Sequence, residues 1–271
     1  MRGRQHRRGA QEGTGEGEAS ADFFGQCNTS LSGNEWGLQG VLRDTRLGLY
    51  AALPSRDSIV TKDAMEKWQL VRRKVWRMHG DDDASFEGHV AQMFQRDLKI
   101  VQTNTGGYDP QANSLAEGRI RLGVITARCL LGQSCVPAAG WDDAYSFGNR
   151  IINRTVLPNP NYPAPGIEPL RAEFMKADAG SADARWAAEG DMSRWPTFGC
   201  RTIAYIPKAK RDGKFEDTGR EAIFLDFDDE VTAGIKVGIL KPNFEFEENP
   251  IQELGTYTTV RTEPENFPCV R

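Results

Sequence analysis

A chain of 271 residues, 27% charged and 39% hydrophobic with a mean hydropathy of −0.55, is long enough for one large or two modest domains around a buried core. It holds no apolar run near membrane-span length, and its basic N-terminus is not followed by the apolar segment of a secretory signal. Five cysteines without framework spacing point to reduced thiols in an intracellular setting, nuclear or cytoplasmic, and a net charge of −4 leaves any nucleic-acid surface to local charge distribution.

In chain order, the first 20 residues carry Arg2, Arg4, Arg7 and Arg8 and then a Gly/Glu-rich run with no apolar period, which predicts a disordered arm. The GEGEASA segment before Asp22 is poor in strand formers, whereas GVLRDTRLGLYAALPS alternates in the manner of a strand around Asp44. Asp57 to Arg73 reads as an amphipathic helix with Ile59, Met65, Trp68, Leu70 and Val71 on its apolar side. The overlapping stretch Glu66 to Arg77 sets five basic residues against Glu66 alone, as a DNA-facing patch or a solvated helix end.

VWRMHGDDDASF, Val75 to Phe86, reads as a short strand ending in Asp81, Asp82 and Asp83. Ser85 to Arg96 follows as a helix, and Leu98 to Val101 as a short buried strand. Gly106, Gly107 and Pro110 then make a turn, and a helix begins with Asn113 or Ser114 as its N-cap and meets no proline before Pro137. At 100° per residue, Glu117, Arg121 and Arg128 share a stripe about 40° wide, while Ala116, Ile120, Gly123, Ala127 and Leu131 form a separate small and apolar one. The polar stripe reads either as a site for metal and phosphate or as a solvated face with an i,i+4 Glu-Arg pair.

Trp141, Ala144, Tyr145, Gly148, Ile151 and Ile152 recur at helical spacing, with Asn149, Arg150, Asn153 and Arg154 opposite. Leu157 to Pro169 contains five prolines and reads as a linker, and Leu170 to Trp195 as a weakly helical connector. From Phe198 the pattern turns to strands at Ile203 to Ile206, Ala222 to Phe227 and Ile235 to Leu240. Asn243 to Arg271, with six glutamates and two arginines, has no clear period and reads as an acidic tail.

Three motifs, taken together, resemble the integrase core of retroviruses and retrotransposons, most closely that of Copia-type Pol polyproteins. HGDDDASF resembles the family's HSDxGxEF, and YDPQANSLAEG its YTPQxNGxAER, with 35 residues between Asp81 and Glu117. Phe198-Gly199-Cys200, Pro207, Lys214, Gly219, Arg220 and Phe224-Leu225 match the small β-domain that follows such cores, with Asp226 in place of the usual glycine. With three histidines and no CxxC pair, this sequence is not expected to contain the zinc domain that precedes family cores.

The resemblance implies an α/β fold: a ribonuclease H-like core, that is, a five-stranded mixed sheet with flanking helices, followed by a small β-domain. The expected organisation is a basic arm over 1–20, the core over 21–156, a linker and connector over 157–197, the β-domain over 198–241 and the tail over 242–271. It further implies two-metal phosphoryl transfer on DNA, comprising 3′ end processing and strand transfer, with Mg²⁺ or Mn²⁺ as cofactor. The implied catalytic and metal-binding set is Asp22, Asp81 and Glu117, with Asp44 as the competitor for the first place. Arg121, Arg128, Asn113 and Gln111 are the implied DNA contacts. DNA, as donor ends and target, is the implied partner of a homo-oligomer if the protein is active, with no membrane and no small-molecule cofactor.

Departures at Gly80, Asp83, Ser85, Ser114 and Gly118 leave a catalytically inactive nucleic-acid-binding remnant as the alternative, and a nuclease on the same fold as a third reading.

Overall fold

The first strand forms despite its composition, paired on both sides by neighbouring strands. β1 (Glu18–Phe24) buries Ala19, Ala21 and Phe23 on one face and directs Ser20, Asp22 and Phe24 to the other. The computed structural model describes residues 17–71, 75–80, 92–93, 96–104, 113–157, 166–208, 211, 217–242, 244 and 247–269. The expected arm up to residue 16, the acids at 81–83, most of the helix expected over Ser85 to Arg96, the turn at 105–112 and most of the proline run lie outside them.

β2 (Trp36–Leu42) and β3 (Gly48–Leu53) extend the sheet antiparallel on one side of β1. β4 (Arg77–Gly80) and β5 (Val101–Asn104) extend it parallel on the other. The order β3-β2-β1-β4-β5 makes a mixed five-stranded sheet, and helices cover both of its faces. This is the ribonuclease H-like arrangement that the motifs implied. β5 starts later than expected: Ile100 is buried, Val101 is half exposed, and Lys99 takes a left-handed backbone (φ 56°) just before the strand.

The helices are α1 (Ser58–Val71), α2 (Ser114–Ser134), α3 (Trp141–Asn153), α4 (Pro169–Ala177) and α5 (Ala182–Glu189). Met65 and Trp68 of α1 share one apolar cluster with Ala19, Ala21 and Leu38 of the sheet. Leu170 and Phe174 of α4 and Ala182 of α5 belong to the same cluster. The stretch expected to be a weakly helical connector is helical and closes the core on this face.

On the opposite face, Tyr145 of α3 packs against Phe24 and Tyr50, with ring centroids 4.7 and 4.5 Å away, and its hydroxyl donates to Gln39 Oε1 at 3.0 Å. The far side of α3 presents Phe147 to Phe198 and Phe224 of a second sheet. That sheet is antiparallel throughout, in the order β10-β6-β7-β8-β9. It consists of β6 (Arg201–Tyr205), β7 (Gly219–Asp228), β8 (Gly234–Leu240), β9 (Ile251–Tyr257) and β10 (Val260–Glu263). Its last two strands arise in the stretch expected to be an acidic tail. The Phe198-Gly199-Cys200 motif has a reason at each position: Phe198 and Cys200 are buried, and Gly199 (φ 75°) lies where a side chain would meet Ser134 Cβ at 2.3 Å. Burial pushes the Cys200 thiol up to about 11, consistent with packing rather than reactivity.

Because α3 lies between two sheets, its polar residues are buried as well as its apolar ones. Asp142 accepts from Ser30 Oγ at 2.7 Å and Asn34 Nδ2 at 2.8 Å. Arg150 holds Asp226 of β7 at 2.9 Å and Asp229 at 2.8 Å. The aspartate that replaces the usual glycine of the β-domain motif thus has its own counter-ion.

Asp143 is paired through Oδ1 with Lys236 Nζ of β8 at 2.5 Å, while its Oδ2 meets no donor among the described residues. Burial, with Asp142 beside it, pushes the Asp143 carboxyl up to about 7, although Lys236 pulls it down. A carboxyl with a raised folded-state pKa binds its proton in the folded protein first, so its contribution to stability is lost as pH rises from about 4 to about 7. Asp143→Asn is expected to remove that part of the slope, on the order of a few kcal/mol across the window. Urea unfolding of both proteins at several pH values checks it: parallel stability-pH curves would show that Asp143 does not titrate in this range.

Candidate nucleic-acid site

Asp22 is the half-buried polar member of β1's second half, opposite Gln39 of β2, and its Oδ1 accepts from the backbone N–H of Phe23 at 2.8 Å. Asp44 lies in the turn between β2 and β3, is buried, and is ion-paired with Lys176 Nζ of α4 at 2.9 Å. The two candidates for the first carboxylate thus differ in setting: Asp22 lies on the sheet face toward α2, and Asp44 is engaged with α4.

Asn113 precedes α2 as its N-cap residue but does not cap through its side chain. Its carbonyl accepts from the N–H groups of Ala116 and Glu117 at 3.0 and 3.2 Å, and its buried Nδ2 donates to Ala21 O of β1 at 3.3 Å. The first turn of α2 is therefore tied to the strand residue next to Asp22. Asn113 is 3% exposed, so its side chain acts inward as an anchor.

Glu117 lies in that first turn and is exposed, as are Arg121 and Arg128 further along. No Glu117–Arg121 ion pair forms. Gly118 has open space around it, with nothing within 4 Å of an added Cβ. β4 ends at Gly80, one residue before Asp81. Asp81 and Gln111 themselves lie outside the described residues. Among the described residues no three His, Cys, Asp or Glu side chains gather into a metal-binding group.

The sequence reading missed Arg119. It is 5% exposed and donates to Asn149 Oδ1 at 2.8 Å and Asn153 Oδ1 at 2.5 Å on α3. These asparagines in turn donate to Gly48 O of β3 at 3.2 and 2.9 Å, and Asn153 Oδ1 also accepts from Gly48 N at 2.8 Å. The available signal was spacing: Arg119 falls three residues after Ala116 and four before Gly123, inside the buried stripe.

The strand order and the motifs are similar to those of an integrase core, and the sequence is similar to part of a retrotransposon Pol polyprotein. No family model matches the sequence. The chain is 27% identical over 158 residues to the retrovirus-related Pol polyprotein from transposon TNT 1-94 of Nicotiana tabacum, a match covering 58% of this chain and 11% of that polyprotein. Among solved structures it is similar to the catalytic core domain of BIV integrase, with a TM-score of 0.46 and 15% identity over 60% of this chain and 97% of that one. Among the described residues no helix is long and apolar enough to cross a membrane.

Proposed function

We propose that the protein is an integrase-type polynucleotidyl transferase, acting on DNA by two-metal phosphoryl transfer. The observation that carries this reading is the bond from Asn113 to Ala21 O, which keeps Glu117's helical turn beside the strand that bears Asp22. Both carboxylates offer hard oxygen donors of the kind that suit Mg²⁺ or Mn²⁺. Asp81, which follows the last residue of β4 in the sequence and lies outside the described residues, is the third donor of this reading on the strength of the motif resemblance alone.

Asp22, Asp81 and Glu117 would hold the divalent ions, which when bound supply charge stabilisation at the scissile phosphate. The chain's remaining task is to hold DNA. Arg121 and Arg128, exposed on the stripe of Glu117, would grip the donor backbone, a contact that gives affinity without sequence choice. Water first attacks a phosphodiester near the donor 3′ end, releasing the terminal nucleotides and freeing a 3′ hydroxyl. That hydroxyl then attacks a target phosphate, forming the new P–O bond as the target strand's own 3′ oxygen leaves and is protonated. A homo-oligomer is part of this reading, because two donor ends must be joined to one target.

Short duplex DNA incubated with the purified protein and Mn²⁺ should give products longer than the input. Glu117→Gln should abolish them, while Glu253→Gln, in β9 and paired with Arg220, should not. DNA binding without products, identical in wild type and Glu117→Gln, would replace the transferase with a noncatalytic binding module. Shortened products alone would replace it with a nuclease.

A further inference from the structure

Helices α2 and α3 pack over the β1–β3 side of the sheet face that carries Asp22. Over β4 and β5 the same face holds a cavity of about 280 Å³, lined by Glu18, Ala19, Arg43, Arg77, His79 and Thr103. Strand alternation puts Glu18, Ser20 and Asp22 on one side of β1, and the registers Glu18↔Arg77, Ser20↔His79 and His79↔Thr103 bring the neighbouring strands' residues level with them. Arg43, just after β2, donates from Nε to Ser20 Oγ at 3.2 Å. Among the described residues its two terminal amino groups meet no acceptor.

Among the described residues the wall carries two guanidiniums and one imidazole against one carboxylate. Arg77 approaches Glu18 Oε1 only at 3.4 Å, which is long beside the roughly 2.7–2.9 Å of a strong charge-assisted bond. That contact is weak enough for an incoming anion to displace. His79 Nδ1 stands 3.0 Å from Thr103 Oγ1, which fixes the ring plane. A guanidinium fork matches the oxygens of a phosphate. Ser20 lies two residues from Asp22, about 7 Å along the strand, on the scale of a single nucleotide step.

We propose that this cavity is a phosphate subsite, in which Arg43, Arg77 and His79 hold the polynucleotide strand flanking the bond presented to Asp22. Its use by DNA rests on the transferase reading above; its phosphate chemistry does not. The subsite lies off the Glu117 helix, so it would give the strand a second grip on the other side of Asp22.

The test uses the full chain. Its three histidines, His6, His79 and His89, give few imidazole proton resonances, and His79→Gln assigns the one of interest. Titration with inorganic phosphate, and separately with a 5′-phosphorylated thymidine dinucleotide, should shift the His79 resonance saturably. The shift should be lost in the double variant Arg43→Gln, Arg77→Gln. Fluorescence anisotropy with a short duplex should show about tenfold weaker binding for that variant and a salt slope shallower by about two phosphates' worth, each near 0.9. Arg43→Lys, Arg77→Lys, which keeps charge but not the fork, should fall between and guards against misfolding of the glutamine variant. A His79 resonance unmoved by both probes overturns the subsite. Equal DNA affinity and salt slope in wild type and double variant overturns its use by DNA and leaves the transferase standing. A saturable phosphate shift without any duplex binding supports the anion site and removes the DNA reading.

Discussion

Arg119→Met is expected to lower the unfolding free energy by about 3–5 kcal/mol, in the range for removing one partner of a buried charged network. The guanidinium is the common donor to Asn149 and Asn153, and both asparagines clamp the peptide of Gly48. Methionine fills much of the same volume but donates nothing, so acceptor oxygens of both amides lose their charged partner in a place water does not reach. The packing around Gly48 is close as well, since an added Cβ there would lie 2.4 Å from Arg119 Nη2 and 2.5 Å from Asn149 Oδ1. Urea unfolding monitored by tryptophan fluorescence measures the loss. A change under about 1 kcal/mol would mean that the amides find other donors and that the network is peripheral to stability.

A second large effect is expected where α2 crosses α3. At Gly123 an added Cβ would lie 2.5 to 2.6 Å from the ring and hydroxyl of Tyr145. That ring is 1% exposed, stacked among Phe24 and Tyr50, and tethered through its hydroxyl to Gln39, so it has no room to swing aside. Gly123→Ala should therefore cost about 1–3 kcal/mol as overpacking, despite the gain in helix propensity. Gly118→Ala on the same helix meets nothing and should stabilise by up to about 1 kcal/mol. The opposite signs of one substitution at two positions of one helix form the test. Equal effects at both would show that the crossing relaxes freely.

Helical angles alone placed Glu117, Arg121 and Arg128 on an exposed stripe and Ala116, Gly123 and Ala127 on a buried one, and the structure has them so. Apolar alternation likewise located β7 and β8. β1 was hard to read because its propensity is poor and its stability comes from neighbours on both sides: small residues at 19 and 21 form part of the cluster that holds Met65 and Trp68. α3 was half legible. Amphipathic logic assigns its asparagines to solvent, but a helix walled by two sheets must bury polar residues and satisfy them with partners distant in sequence. β9 and β10 were missed because exposed side chains recur along them and the apolar alternation that marks a strand is weak. At the candidate site, exposure was readable from spacing. The inward bond of Asn113 was not, because a polar turn residue gives no sign of which backbone carbonyl it will find.

The helix that carries Glu117 is fastened at both ends by distant parts of the chain, by Ala21 near the start and by the close seat of Gly199 under Ser134 and Val136 at the finish. For recombinant work this sets the permissible cut points. A fragment stopped at residue 197, the natural choice if the C-terminal strands were a detachable appendix, would bare Phe147, Ala144, Ala127 and Val136 to water. Such a fragment would be recovered as aggregate rather than as a soluble domain.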